Sequence, residues 1–180
     1  TEGFYNRPRV DLELLRRHSA GLIALSACLA GEIPRRLRNG EYENARDYAL
    51  ELGRIFGPEH FYLELQDHGI RDQAVVNQGL LRIHQETGLP MVCTNDAHYL
   101  RKEDAQAHDV LLCIQTGRTL DDENRMRYEP QNFYLRNEAE MEALFGEYEG
   151  ALENTAKIAE MCSLEFIFGK YHLPEFQLPP

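Results

Sequence analysis

At 180 residues, with 43% apolar and 27% charged side chains, the chain is long enough to bury a core and too apolar for disorder. No apolar run approaches the ~20 residues of a membrane helix. Four cysteines, at 28, 93, 113 and 162, show no Cys-x-x-Cys spacing, which predicts reduced thiols in a cytoplasmic protein. The net charge of −11 comes entirely from residues 61–180, where 10 basic side chains face 21 acidic ones; residues 1–60 carry nine of each. That balance excludes a broad nucleic-acid grip, and leaves Arg35, Arg36 and Arg38 as the best local cluster for a DNA contact, in a loop after a strand. The chain opens at Thr1 with neither Met nor an apolar leader, so it reads as a piece of something longer.

Residues 4–9 read as irregular, held by aromatics and a proline. Asp11 suits the N-cap of a helix over 12–18, whose leucines seek a core. Residues 22–25 form a first apolar strand, with Cys28 just past its end. Tyr42, Ala45, Ala49, Leu52 and Phe56 step by three and four, predicting a helix over 41–56 that stops at Gly57-Pro58. Phe61 to Leu65 is a second strand, trailed by Gln66, Asp67 and His68. Val76, Leu80, Ile83 and Thr87 mark another helix, ended by Gly88. Met91, Val92 and Cys93 make a third strand. A helix over 102–116 is predicted to turn Ala107, Leu111 and Ile114 inward. Residues 133–135 are extended, and Asn137 with Glu140 marks a capping box for a helix carrying Met141, Leu144 and Phe145. A final helix over 150–162 places Leu152, Thr155, Ala159 and Cys162 in register. His84 and His172 read as ordinary surface residues, and Glu64 as a paired structural carboxylate.

Strand, helix, strand, helix, strand at this spacing predicts βαβ units and a parallel sheet. Cys28, then the 66–68 cluster, then Asp96 and His98 each follow the carboxyl end of a strand, the edge where parallel α/β folds gather ligands. Asp96 and His98 lie two apart, so an extended backbone would aim carboxylate and imidazole at one spot, as a divalent cation requires. His68 lies on the same edge and reads as structural. His108 and Asp109 are expected to order the loop behind the site.

Residues 21–33 (GLIALSACLAGEI), 61–69 (FYLELQDHG) and 92–100 (VCTNDAHYL), with 104–109 (DAQAHD) and 131–134 (QNFY), resemble one family. It is the PHP (polymerase and histidinol phosphatase) domain of bacterial replicative DNA polymerase III alpha subunits. The resemblance implies a partial, distorted TIM-like α/β barrel whose first strands precede Thr1. It implies a truncated PHP domain over 1–168, then an extended Pro-rich linker over 169–180 toward a polymerase core. Carried over residue by residue, Cys28, Asp96 and His98 are metal ligands. The cations implied are divalent, zinc being favoured by the thiolate, with manganese, magnesium or iron as alternatives. The family's His-x-His motif and the ligands after it are absent from these 180 residues, so the piece alone is expected to be inactive. For the parent protein the resemblance implies DNA synthesis with a metal-dependent 3′→5′ exonuclease in the PHP part. The partners implied are DNA, the proofreading subunit and the sliding clamp. The rivals are an inert scaffold that stabilises the polymerase and docks replisome subunits, and a stand-alone PHP phosphatase.

Overall fold

Phe61–Leu65 (β4) is a deeply buried strand in the computed structural model, which describes residues 4–171. Phe61, Tyr62, Leu63 and Leu65 are all 0% exposed. A near-continuous apolar run of this kind is what a central parallel strand, covered on both faces, requires. Ala24–Leu25 (β3) lies on one side and Met91–Cys93 (β5) on the other, both parallel to β4. Ala24 aligns with Phe61, and Leu65 with Cys93. The predicted α/β class and strand order therefore stand, as a three-stranded parallel sheet with helices around it.

Tyr42–Phe56 (α3) and Arg71–Thr87 (α4) connect the strands. Ala45 and Ala49 of α3, with Val76, Leu80 and Ile83 of α4, pack against the sheet. Leu12–His18 (α1) is capped by Asp11, whose carboxylate accepts from the Leu14 amide at 2.8 Å. Phe4–Tyr5 (β1) and Arg7–Pro8 (β2) form a small antiparallel hairpin about Asn6, where an irregular segment was expected. Asn6 has φ 59°, a conformation that asparagine tolerates better than most residues.

Three further expectations are corrected. The loop assigned to Arg35, Arg36 and Arg38 is a helix, Glu32–Arg38 (α2), with Ile33, Pro34 and Leu37 buried. Pro34 disguised it, yet in the first turn a proline removes no intrahelical hydrogen bond. Ala105–Thr116 (α5), preceded by a 3-10 turn at Lys102–Asp104, faces the opposite way from the prediction. Ala107 is exposed, Leu111 and Ile114 are 60% and 72% exposed, and Ala105, Leu112 and Cys113 are buried instead. The inward side of α5 is fixed by His108 and Asp109, which apolar periodicity does not register. Glu153–Met161 (α7) is shorter than expected, and Thr155, Ala159 and Cys162 are exposed. Glu138–Phe145 (α6) keeps its predicted capping box, with Asn137 and Glu140 bonding reciprocally at 3.0 and 2.9 Å.

The outer edge of β5 is closed by the chain entering α7. Cys93 donates its amide to the Ala151 carbonyl at 3.1 Å, and Asn154 donates to the Met91 carbonyl at 2.8 Å. Satisfied this way, the edge offers no free ladder to another strand. Among the described residues no helix is long and apolar enough to cross a membrane. The linker expected over 169–180 falls largely, and His172 wholly, outside the described residues.

Gly31 caps α2 where the chain turns back after β3. A Cβ there would meet the Ser26 carbonyl oxygen at 2.6 Å, and backbone cannot yield as a side-chain tip can. Gly31→Ala should therefore destabilise the fold by about 1–3 kcal/mol, measured by urea unfolding. An unchanged midpoint would show that the turn relaxes freely.

Candidate metal centre at the carboxyl edge of the sheet

The three strand ends are tied together by side chains. Ser26 Oγ, after β3, accepts from the Glu64 amide at 2.8 Å. Gln66 Nε2 donates to Glu64 Oε1 and to Thr94 Oγ1, both at 3.1 Å, while Thr94 donates to Glu64 Oε1 at 2.5 Å. Glu64 is thus a structural carboxylate held by neutral donors rather than by a cation. The Thr94 amide reaches the Leu65 carbonyl, extending the ladder one residue beyond β5.

From Asn95 the chain leaves β4 and is held by residues 133–135 instead. His98 donates its amide to the Phe133 carbonyl at 2.7 Å, Leu135 donates to the Tyr99 carbonyl at 3.1 Å, and Tyr99 bridges Tyr134 in parallel. Asn95 clamps the same junction, donating to the Tyr134 carbonyl and accepting from Arg136 at 3.0 Å. The predicted extended piece at 133–135 is therefore a support for the Asp96–His98 loop. On that support the two side chains meet, with His98 Nε2 at 3.2 Å from Asp96 Oδ1. They are 28% and 40% exposed, open enough to be reached from solvent.

Behind the pair lies an aromatic cluster. The His98 ring centroid is 4.5 Å from that of Tyr128, 5.5 Å from Phe133 and 5.7 Å from His108. Burial pushes the His108 imidazole below its ordinary range, and proximity to His98 adds to this. The cluster faces a polar cavity of about 110 Å³ lined by Tyr99, His108, Asp109, Arg125, Tyr128 and Gln131, among others. Asp109 holds Arg125 through two hydrogen bonds, one of them 2.7 Å, and that bond holds the Asp109 carboxyl below its usual range. His108 and Asp109 do order the connection behind the site, as their position suggested.

Cys28 lies past β3 and is exposed. It lines a small cavity with Glu64 and Gln66, one hydrogen bond from Thr94, but is not drawn into a ligand group with Asp96 and His98. Among the described residues no set of three or more His, Cys, Asp or Glu side chains is arranged to hold a metal ion. The Asp96/His98 pair offers oxygen and nitrogen donors of the right kind, two of the four or more that a divalent cation takes. No hydrolytic step is therefore assigned to these residues.

Arg35, Arg36 and Arg38 are paired within the fold. The first two share Glu32 at 2.8 Å each, and Arg38 meets Asp72 at 2.9 Å. His84, expected to be an ordinary surface residue, is half-buried with Nδ1 at 2.8 Å from the Leu89 carbonyl. Sequence reasoning missed Gln73 and Asn77, two buried polar residues on α4 that brace the loop after β4. Asn77 donates to the Gln66 carbonyl at 3.0 Å, and Gln73 grips His68. Polar residues at helical spacing within an apolar stripe were the available signal.

A family model described as the PHP domain matches residues 1–68, a span that includes Cys28 and ends before Asp96. Over 179 residues the chain is 45% identical to the DNA polymerase III subunit alpha of Borreliella burgdorferi, covering 99% of this chain and 16% of that protein. It is 45% identical over 184 residues to the Thermus aquaticus subunit and 39% identical over 178 residues to that of Treponema pallidum. Both of these alignments cover 99% of this chain and 15% of the relative. The chain thus spans about a sixth of the length of the curated relatives it matches. Nearly the whole chain is thus similar to one region of DNA polymerase III alpha subunits, and its first 68 residues match the PHP domain.

Proposed function

We propose that this region serves a replicative DNA polymerase by contributing Cys28, Asp96 and His98 to a divalent-cation centre that supports 3′→5′ removal of nucleotides. The convergence of Asp96 and His98 to 3.2 Å at the carboxyl edge of a parallel sheet carries the reading. It is supported by the relatives' description as DNA polymerase III subunit alpha. A thiolate beside imidazole and carboxylate suits zinc best, with manganese, magnesium or iron as the alternatives. Further donors are needed to complete the centre. On this reading residues 1–168 act as one domain and residues 169–180 as a linker to the polymerase part. The substrate is DNA, the compartment is the cytoplasm, and the proofreading subunit and sliding clamp are the protein partners.

A scaffold role is the second reading. It is favoured by the apolar face of α5, where Leu111 and Ile114 stand exposed. The two readings separate in the full-length protein, freed of any associated exonuclease. The nuclease reading expects 3′-end degradation that a chelator abolishes and that zinc or manganese restores, with DNA synthesis assayed separately in magnesium. Absence of degradation under every metal condition would establish the scaffold.

A further inference from the structure

The polar cavity beside the Asp96/His98 pair has walls of its own kind. Tyr128 and His108, both in ring contact with His98, line it, and so does Tyr99, whose ring centroid is 5.3 Å from that of His108. Ala105 and Leu112 are buried and make its deep end. Arg127 and Glu129 are exposed and stand at its mouth. The aromatic walls thus separate the cavity from the pair by the thickness of one ring.

Charge and size together narrow what it could hold. Asp109 takes both terminal nitrogens of the Arg125 guanidinium, and Arg127 lies 4.0 Å from Glu129. The charged lining therefore cancels in pairs, and neither an anion nor a cation finds an excess of the opposite sign. The neutral groups are the ones left open. The Tyr99 hydroxyl accepts from the Phe133 amide at 3.2 Å and keeps its own proton to donate. Among the described residues the Tyr128 hydroxyl, the Gln131 side-chain amide and the His108 ring nitrogens have no hydrogen-bond partner. The volume is about 110 Å³, against about 150 Å³ for an apolar cavity that holds one benzene ring. One six-membered ring fits here with its substituents at the mouth, and a fused pair of rings does not. Aromatic walls, free donors and acceptors, no net charge and room for one ring describe a pyrimidine base.

We propose that this cavity is a pocket for a single pyrimidine base, walled by Tyr99, His108 and Tyr128 and hydrogen-bonded by Gln131. The base arrives either on a free nucleoside or as the 3′-terminal residue of a DNA strand. The second source rests on the proposed function and deepens it. Tyr128 belongs both to the pocket and to the surroundings of His98, so a terminal base held against it lies next to a residue assigned to the cation. The pocket itself does not depend on that assignment.

Binding of deoxycytidine and deoxyadenosine to the full-length protein, in chelator so that no metal takes part, tests the pocket. Deoxycytidine should bind at least about tenfold more tightly than deoxyadenosine. Tyr128→Ala should weaken it by about fivefold or more, as loss of a base–aromatic contact does. Gln131→Ala, at an exposed residue whose truncation spares the fold, should weaken it similarly. No deoxycytidine binding, equal binding of the two nucleosides, or binding unchanged in both variants would overturn the proposal. Strands ending in 3′ cytosine or 3′ adenine then identify the source. Faster metal-dependent removal of the terminal cytosine, with the preference lost in Gln131→Ala, would establish the strand end. Removal indifferent to the terminal base would refute that source and, with deoxycytidine bound, assign the pocket to free nucleoside. Absence of any removal by wild-type protein would refute the proposed function, while nucleoside binding still judged the pocket.

Discussion

Asp109→Ala should cost about 3 kcal/mol of stability at neutral pH. The guanidinium it pairs with is nearly enclosed, the Arg125 side chain being 5% exposed, and its Nε already lacks a partner. Removing the carboxylate strands a buried charge, the costly way to break such a pair. A double change, Asp109→Leu with Arg125→Met, should recover much of the loss, because apolar side chains of similar volume need no charge compensation. The pH dependence has a definite sign. The Asp109 carboxyl is held below its ordinary range by Arg125, so its contribution is complete above the unfolded value, about 3.9, and is lost as pH falls further. Wild-type stability should therefore drop more steeply below about pH 4 than that of Asp109→Ala. Urea unfolding across pH 2–7 checks both claims, and parallel curves for the two proteins would contradict them.

Asp96→Asn and His98→Ala should each weaken divalent-cation binding in the full-length protein by more than about 100-fold, exceeding the loss from an outer partner. They should abolish chelator-sensitive 3′-end degradation while DNA synthesis continues. The fold should tolerate both. The Asp96 side chain is 40% exposed, so the asparagine should alter stability by under about 0.5 kcal/mol. His98 packs on Tyr128 and Phe133, and its truncation should cost about 1 kcal/mol of aromatic contact. Degradation that persists in either folded variant would remove these residues from the centre.

The sheet was legible because its strands announce themselves. Phe61 to Leu65 is apolar but for Glu64, between Pro58 and the polar 66–68 cluster, and the alanine and leucine spacing of α3 ends cleanly at Gly57. Asp96 and His98 were legible as a pair because residues two apart share a side, although here residues 133–135 hold the backbone rather than a fourth strand. Two classes of feature escaped. Helix α2 hid behind Gly31 and Pro34, residues that read as loop but suit a helix's first turn. The phase of α5 was misread because its buried side is secured by Asp109 with Arg125 and by His108 among aromatics. Partners 16 or more residues away in sequence, such as Asp109 and Arg125 or His68 and Phe133, leave no periodic trace. The gap between Cys28 and the Asp96/His98 pair belongs to the same class: strand order brings all three to one edge, and only local packing determines whether they join.

Cobalt absorption asks directly whether they do. Titrated with Co²⁺, the full-length protein should develop a thiolate-to-cobalt charge-transfer band that disappears in Cys28→Ser, disappears or shifts in His98→Ala, and survives in Cys162→Ser, the other exposed cysteine. A band that persists in Cys28→Ser, or cobalt affinity unaffected by that change, would show that the thiol and the Asp96/His98 pair do not hold one cation.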